Sequence, residues 1–260
     1  MIFLLGLLLL LATILIYRHL TWAALPWPQN SVLPPKYQGH RGYWVDGTRE
    51  NTLDAFRAAH QKGLQMVEMD VRLSRDSIPV VFHDEDLNRI GNSSEKVSAL
   101  SASQLREKVG APSLEEVLQD KHVPHLLNIE LKTTALWDGS LEKQVADVIN
   151  RHHAEGRVIF SSFNPISLWR MSRILPEVPR ALLASKVKEP VNRFYLRHLL
   201  LAPYVKIHVL HLDHLYVSYE EIKAWKLRRV PVSLWTVNDR DRAEEFLQAG
   251  ALSIISDRLS

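Results

Sequence analysis

Two carboxylates are spaced so that a β-strand would place them side by side. Glu68 and Asp70 lie in the stretch MVEMDV, where apolar and polar residues alternate as in a strand. Residues two apart on a strand project from the same face. A tight turn at Asp76 and Ser77 would return the next strand antiparallel and bring His83 roughly level with Asp70. This grouping indicates a hydrolytic site, whereas an edge hairpin with its charges in water is the alternative interpretation.

A third carboxylate belongs to the later stretch Asn-Ile-Glu-Leu-Lys. By the same spacing rule, Asn128, Glu130 and Lys132 share one face of a strand. Three carboxylates without a thiolate favour a hard cation, Mg²⁺ or Ca²⁺, over zinc or copper. The chain has no cysteine, which excludes disulfides, thiolate metal sites and a cysteine nucleophile.

Basic side chains and imidazoles complete this set. Arg41 and Lys132 supply fixed positive charge suited to phosphate oxygens. His40 and His83 titrate near neutrality, so one ring can remove a proton while the other protonates a leaving group. A cation on the three carboxylates would offset their repulsion and attract a phosphate oxygen. These groups suffice for hydrolysis of a phosphodiester.

The candidate residues lie where strands are expected to end. The predicted strands are Tyr37–His40, Met66–Leu73, Leu126–Leu131, Val158–Ser161, Arg180–Leu183, Ile207–His211, Pro231–Trp235 and Ser253–Ser256. Helical patterns separate them, including Leu53–Gln61, Leu141–His153, Ile166–Ile174, Tyr219–Lys226 and Arg240–Gln248. Eight strands alternating with helices predict an α/β fold, a (β/α)₈ TIM barrel, whose active site lies at the carboxyl ends of the strands. Phe163 and Trp235 fall at this end and can pack on a substrate, with burial in the core as the alternative.

The N-terminal residues have a different character. Ile2–Tyr17 is apolar and uncharged, and Leu20–Leu25 extends it towards the roughly 20 residues that span a bilayer. No basic residue precedes the run, so an uncleaved transmembrane anchor over residues 1–25 is favoured over a cleaved signal peptide. Trp22 and Trp27 are interpreted as membrane-interface residues. A proline-rich linker over 26–36 and a catalytic domain over 37–260 follow.

The length of the chain indicates its domain count, and its charge limits the classes of partner. A chain of 260 residues with 46% hydrophobic content can form one barrel domain. The net charge of +3 suits a membrane surface or an anionic substrate, and is too small to indicate nucleic acid. Arg18 and Lys36 follow the apolar run, so the positive-inside rule predicts a cytoplasmic barrel, with an exported barrel as the alternative.

Several motifs carry a resemblance to a known family. They are Gly-His-Arg-Gly at 39–42, Glu-Asn-Thr at 50–52, Glu-x-Asp at 68–70, Val-Val-Phe-His-Asp at 80–84, Asn-Ile-Glu-Leu-Lys at 128–132, Ser-Ser-Phe at 161–163, Trp-Thr-Val-Asn at 235–238 and Ile-Ile-Ser-Asp at 254–257. In order and spacing they resemble the glycerophosphodiester phosphodiesterase family from Tyr37 to the end. Arg49 and Ser77 depart from its usual proline and turn glycine, and the segment Gly91–Gly110 is short, which bears on substrate identity.

The resemblance implies a phospholipase C-like TIM barrel that cleaves glycerol phosphodiesters with a divalent cation. By the resemblance, His40 and His83 are the acid/base pair, and Arg41 and Lys132 hold phosphate. The implied metal ligands are Glu68, Asp70 and Glu130.

We therefore expect a membrane-tethered phosphodiesterase acting on glycerophosphodiesters or lysophospholipids. Tethering to the membrane favours lysophospholipids, because it raises the effective concentration of the enzyme at a membrane-resident substrate. The leucine-rich stretch Pro190–Tyr204 is predicted as a barrel helix, and its excess of leucine leaves room for contact with the membrane surface. The alternatives are a sphingomyelinase D-like or phospholipase C-like enzyme, or a non-catalytic lipid-binding barrel. The sequence leaves open which histidine is the base, whether water or a substrate hydroxyl attacks, and the oligomeric state.

Overall fold

A computed structural model of the protein describes residues 2–187 and 194–260. Helix α1 (Ile2–Thr21) comes first. The strands are β1 (Tyr37–Gly39), β2 (Met66–Leu73), β3 (Pro79–Val81), β4 (Leu126–Leu131), β5 (Val158–Ser162), β6 (Arg180–Ala184), β7 (Val209–Asp213), β8 (Val232–Trp235) and β9 (Ser253–Ser256). The later helices are α2 (Leu53–Gln61), α3 (Asn88–Gly91), α4 (Ala102–Val109), α5 (Leu114–Gln119), α6 (Ser140–Arg151), α7 (Pro165–Ile174), α8 (Phe194–Arg197), α9 (Tyr219–Leu227) and α10 (Arg240–Ala249).

Eight of the strands close into a parallel barrel. Each pairs in parallel with its neighbour in the order β1, β2, β4, β5, β6, β7, β8 and β9. β1 closes the ring, because Gly39 pairs with Val67 of β2 and Tyr37 with Ile254 of β9. β3 pairs antiparallel with β2 outside the ring, as the turn predicted. The predicted (β/α)₈ barrel is confirmed, together with an N-terminal helix long and apolar enough to cross a membrane.

Alternation along β2 and β4 separates the hydrophobic core from the barrel interior. Val67, Met69 and Val71 pack in the hydrophobic layer between the barrel wall and its helices, where Phe56 of α2 joins them. Burying such a side chain contributes roughly 1.5–3 kcal/mol, so this layer determines which face of the strand turns outward. The residues between them, including Glu68, face the interior.

The loop after β1 is held onto the start of α2. Thr52 caps the helix, with its hydroxyl accepting a hydrogen bond from the backbone N–H of Ala55. Gly42 has a φ of +94°, and a Cβ atom there would lie 2.8 Å from Ala55 atoms. This close approach requires glycine and fixes the loop that carries His40 and Arg41.

Residues 22–36 form a floor across the amino-terminal end of the barrel. Leu25 N donates to Ile207 O, Val32 N donates to Gly156 O, and Lys36 O accepts from Ile254 N. All of these partners lie at or just before the start of a strand, opposite the carboxyl ends. The proline-rich segment is thus extended along the barrel base.

The interpretation of Trp22 and Trp27 as membrane-interface residues is wrong. Trp22 is only 8% exposed, lies in the hydrophobic cluster under α9, and its ring is 5.9 Å from that of Trp225. Trp27 packs on the apolar residues at the lower end of the barrel and meets the His208 ring edge-on at 6.1 Å. Both indoles therefore pack against apolar side chains of the barrel.

The clearest differences from the predicted bounds concern one strand and one helix. The sixth barrel strand, β7, begins at Val209 rather than Ile207, because the backbone oxygen of Ile207 accepts a hydrogen bond from Leu25 N of the floor. Of the predicted helix Pro190–Tyr204, residues 190–193 lie outside the described residues. The remainder forms only the single turn of α8 and a 3₁₀ turn at Ala202–Tyr204, since Leu199 adopts a φ of +53° that no α-helix accommodates.

Candidate active site

Three carboxylates meet inside the barrel at the carboxyl ends of β2 and β4. One oxygen from each of Glu68, Asp70 and Glu130 lies within 4.8 Å of the others, and all three residues are buried. Direct pairing of Asp70 with Glu130 across the two strands creates this convergence. Lys132 Nζ lies 3.1 Å from Asp70 Oδ1 and 2.7 Å from Glu130 Oε1. The carboxylates inferred from spacing alone are therefore brought together.

The charges of this cluster do not balance. Burial raises the pKa of Glu68 well above its usual range, and the negative charges of Asp70 and Glu130 add to the effect. Burial also acts on Asp70, but Lys132 and Arg41 outweigh it and lower the pKa of that carboxyl. Within the described residues, no lysine or arginine side chain lies within salt-bridge distance of Glu68, whose Oε2 accepts from Arg41 N at 3.1 Å. Buried, oxygen-rich and one positive charge short, this set fits a divalent cation.

Both predicted histidines line the same cavity, and each is held by a carboxylate. Nδ1 of His40 lies 2.7 Å from Asp257 Oδ1, and Nδ1 of His83 lies 2.6 Å from Asp84 Oδ1. An ionised carboxylate accepts hydrogen bonds and cannot donate, so each Nδ1 carries the proton. Nε2 is therefore the ring nitrogen that each histidine presents to a substrate.

The environment of His83 favours its neutral form. Burial lowers the pKa of His83 to about 4, and the positive charges of Lys132 and Arg41 act in the same direction, against the opposing effect of Asp70. At neutral pH the ring is therefore uncharged. An uncharged imidazole can take up a proton during a reaction.

A chain of ion pairs joins Arg41 to His83. Glu50 Oε1 accepts from Arg41 Nη1 at 2.9 Å and from Arg89 Nη2 at 2.6 Å. Arg89 Nε then donates to Asp84 Oδ2 at 2.7 Å, and Asp84 holds His83. Glu50 and Arg89 thus connect the phosphate-side residue Arg41 to the carboxylate that holds His83.

The cavity has a volume of about 690 Å³ and opens at the carboxyl ends of the strands. Its lining includes His40, Arg41, Glu68, His83, Glu130 and Lys132. Phe163 and Trp235 also line it, with ring centroids 5.7 Å apart and planes at 88°, an edge-to-face pair. The two predicted aromatic residues are therefore part of the cavity wall. Asp70 lies just beneath it, almost fully buried.

Residues 40–260 match the model of the glycerophosphoryl diester phosphodiesterase family. The chain belongs to this family. Because the match covers most of the chain, the sequence resemblance and the expected enzyme class, a phosphoric diester hydrolase, are confirmed.

Curated relatives of this phosphodiesterase include bacterial enzymes. The chain is 30% identical over 224 residues to a glycerophosphodiester phosphodiesterase of Caldanaerobacter subterraneus subsp. tengcongensis, covering 80% of this chain and 88% of the relative. It is 29% identical over 236 residues to one from Bacillus altitudinis, covering 85% and 94%.

Solved structures show the same barrel. An Oleispira antarctica phosphodiesterase in complex with the product sn-glycerol-3-phosphate matches with a TM-score of 0.73 and 25% identity, covering 86% of this chain and 93% of that one. A Thermotoga maritima glycerophosphodiester phosphodiesterase matches with a TM-score of 0.66 and 25% identity, covering 85% and 94%.

The phosphodiesterase site also contains residues that the sequence analysis did not select. Asp257, which holds His40, in turn accepts from Asn238 Nδ2 at 2.7 Å. Asn51 makes two hydrogen bonds to Asp70. Its Nδ2 donates to Asp70 Oδ2 at 2.8 Å, and its Oδ1 accepts from Asp70 N at 3.2 Å. Asp257 directly follows a barrel strand, and that position was the available signal.

Proposed function

We propose that the protein is a membrane-anchored, divalent-cation-dependent phosphodiesterase that hydrolyses glycerophosphodiesters to glycerol 3-phosphate and an alcohol. The observation that carries this proposal is the convergence of three buried carboxylates with two carboxylate-held histidines around one cavity. The names of the relatives, and the product bound in the Oleispira structure, support glycerophosphodiesters as the substrate class. A role in lipid metabolism follows from the same chemistry.

Glu68, Asp70 and Glu130 would hold the cation, Mg²⁺ or Ca²⁺. Such an ion, when bound, supplies electrostatic stabilisation of the negative charge that develops on the phosphoryl oxygens. Arg41 and Lys132 lie beside the carboxylates and line the cavity, so they would contact the remaining phosphate oxygens. The excess negative charge of the cluster supports this assignment over a purely structural ion-pair network.

His40 and His83 would transfer the protons. Both face the same cavity, so one ring can accept the proton of the attacking hydroxyl while the other, protonated, donates to the oxygen of the leaving alcohol. Asp257 and Asp84 hold the two rings in one tautomer and orientation and stabilise whichever imidazolium forms. Phe163 and Trp235 offer an apolar wall for the substrate carbon atoms. The same residues serve water attack and attack by a substrate hydroxyl.

We also propose that α1 is a retained single-pass anchor with the barrel on the cytoplasmic side. Arg228 Nη2 donates to His19 O at 2.9 Å, and the Arg18 guanidinium lies 4.6 Å from the Tyr204 ring centroid. Because the last turn of α1 is bound to the barrel, these contacts support an anchor over a cleaved signal peptide. The basic residues Arg18 and Lys36 at this end support the cytoplasmic orientation.

The position of α1 favours water-soluble glycerophosphodiesters over lysophospholipids. The helix ends at the barrel floor, and its residues 3–17 are exposed throughout rather than packed along the barrel wall. The cavity opens at the other end of the barrel, so a membrane crossed by α1 lies on the side away from the cavity mouth. A lysophospholipid would have to leave the bilayer to enter.

One observation favours lysophospholipids as the second candidate. Trp137 is 95% exposed, and Leu136 beside it is also exposed, in the loop that follows Lys132 at the cavity mouth. Apolar side chains exposed at a mouth can contact an acyl chain. Product release would then give lysophosphatidate in place of glycerol 3-phosphate.

The test compares kcat/KM for glycerophosphocholine and lysophosphatidylcholine, with the full-length protein in vesicles and with and without EDTA. We expect hydrolysis of the soluble diester to be preferred and to cease with EDTA. Preference for the lysolipid would select the second candidate. Activity on neither substrate class would overturn the proposal.

A further inference from the structure

The cavity extends to a buried histidine that the proposed chemistry does not use. His211 on β7 is 0% exposed and lines the cavity on the wall opposite the carboxylates. Neither of its ring nitrogens has a hydrogen-bond partner among residues 2–187 and 194–260. Buried polar side chains are almost always paired, so an unpartnered imidazole facing a cavity indicates a missing partner.

Elsewhere at this level of the barrel, the polar groups satisfy one another. Ser161 Oγ donates to Asn128 Oδ1 at 2.9 Å, and Asn128 Nδ2 donates to Gln38 Oε1 at 3.1 Å. Gln38 Nε2 donates to Ser253 Oγ at 3.0 Å, and that hydroxyl donates to Pro35 O at 2.6 Å. This chain links β5, β4, β1 and β9 without any group from outside.

The remaining side of the same level is left open. His211 pairs directly with Ser233 of β8, and Ser233 Oγ is also buried and unpartnered within the described chain. On the other side, His211 pairs with Leu183, which offers no polar atom. Two adjacent buried polar side chains therefore lack a partner within the described residues, and one of them, His211, lines the cavity.

The chemistry of this spot selects an uncharged partner. Burial lowers the pKa of His211 to about 3, so the imidazole is neutral and offers one donor and one acceptor. The nearby Asp213 carboxylate is engaged by Ser185 Oγ at 2.8 Å and by Leu215 N at 3.0 Å. An alcohol hydroxyl matches a neutral donor–acceptor pair, whereas an ammonium or phosphate group would be buried there without a counter-charge.

We infer that His211 is a substrate-binding residue whose imidazole binds an uncharged hydroxyl of the phosphodiester substrate. The inference rests on the proposed function and adds the side of the cavity on which the substrate is recognised. The hydroxyl can come from the glycerol half or from a polyol head group. A buried water shared by His211 and Ser233 is the competing occupant.

The test separates substrate binding from turnover. His211→Phe retains the ring shape and removes both polar atoms, and His211→Leu is a second apolar variant in case the first does not fold. We expect KM to rise about tenfold, the effect of leaving a buried hydroxyl unpaired, while kcat changes less than about threefold. His211→Asn, which keeps a donor and an acceptor, should recover part of the loss.

Two substrates distinguish the two sources of the hydroxyl. A KM increase with both glycerophosphocholine and glycerophosphoinositol assigns His211 to the glycerol half. An increase with glycerophosphoinositol alone assigns it to the head group, because choline carries no free hydroxyl once it is esterified. His214→Phe is the matched control: His214 lies outside the barrel interior, packs edge-on against Phe246, and should leave KM unchanged.

Unchanged KM for both substrates in folded His211→Phe and His211→Leu would overturn the inference. A lower melting temperature with unchanged KM would also overturn the inference and identify a bound water as the occupant, because the variant leaves that water and Ser233 without their hydrogen-bond partner. These results are read relative to the wild-type enzyme. Failure of the proposed function would appear separately, as a wild-type enzyme that hydrolyses neither diester.

Discussion

Nδ1 of His40 lies 2.7 Å from Oδ1 of Asp257, and the two residues are 217 positions apart in the chain. His40 follows the first barrel strand and Asp257 follows the last. Closure of the barrel through β1 and β9 places them side by side. The orientation of a candidate catalytic ring therefore depends on the completed fold.

Replacing this carboxylate should impair turnover more than binding. Asp257→Asn retains the size of the side chain and removes the charge that holds Nδ1–H and stabilises an imidazolium. We expect kcat to fall by about 10²-fold or more with KM changed little, measured under steady-state conditions. Asp241→Asn, an exposed position in the first turn of α10, should have no effect. Wild-type kcat in Asp257→Asn would show that His40 needs no such partner.

The two histidines should be individually necessary. His40→Ala and His83→Ala should each lower kcat by about 10² to 10⁴-fold, the usual contribution of a general acid or base. Single-turnover rates on glycerophosphocholine would measure this directly. His60→Ala, on α2 and away from the cavity, provides the control. Undiminished turnover in either cavity variant would remove that histidine from proton transfer.

Cation binding can be measured without activity. The wild-type melting temperature should rise with Mg²⁺ or Ca²⁺. At a cation concentration 100 times the dissociation constant, binding adds about 2.7 kcal/mol to the free energy of unfolding. Glu68→Gln, Asp70→Asn and Glu130→Gln should reduce this shift, and high cation concentration should restore part of the activity. Glu95→Gln, which removes an exposed carboxylate paired with Lys108, should retain the full shift. Equal shifts in all four variants would contradict the assignment of the three ligands.

Two tryptophans test whether residues 22–36 belong to the folded barrel. Trp22→Ala should lower the free energy of unfolding by about 3 kcal/mol or more, because a large buried ring leaves a cavity. Trp137→Ala should change it by less than about 0.5 kcal/mol, since that ring is 95% exposed. Denaturant titration of the two variants makes the comparison. Similar small effects would show that the floor contributes no stability.

Stability should depend on pH through His211. Burial lowers its pKa to about 3 in the folded protein, whereas an unfolded histidine titrates near 6.5. Between these two pKa values the unfolded chain binds more protons than the folded protein. The contribution of His211 to the free energy of unfolding is therefore fully present above pH 6.5 and is lost progressively as the pH decreases. His211→Phe should reduce this loss by about 2 kcal/mol between pH 7 and pH 5. Equal pH profiles for the two proteins would contradict the buried, neutral state of the ring.

Much of the site follows from local spacing in the sequence. The two-residue period of a strand places Glu68 beside Asp70 and Glu130 beside Lys132, whatever the rest of the chain does. The alternation of strands with helices then predicts a barrel and assigns these residues to its carboxyl end. Both inferences rest on short-range geometry, which is why they agree with the structure.

Only the tertiary structure decided the contacts between distant segments. Asp257 reaches His40 because the barrel closes, and the spacing of neither residue records that closure. Trp22 and Trp27 are the residue type that membrane interfaces favour, yet the fold packs both of them on apolar side chains at the base of the barrel. The chain by itself determined which residues share a face, through the fixed repeat of the backbone. The fold decided which faces meet, because long-range packing selects among partners that local periodicity cannot distinguish.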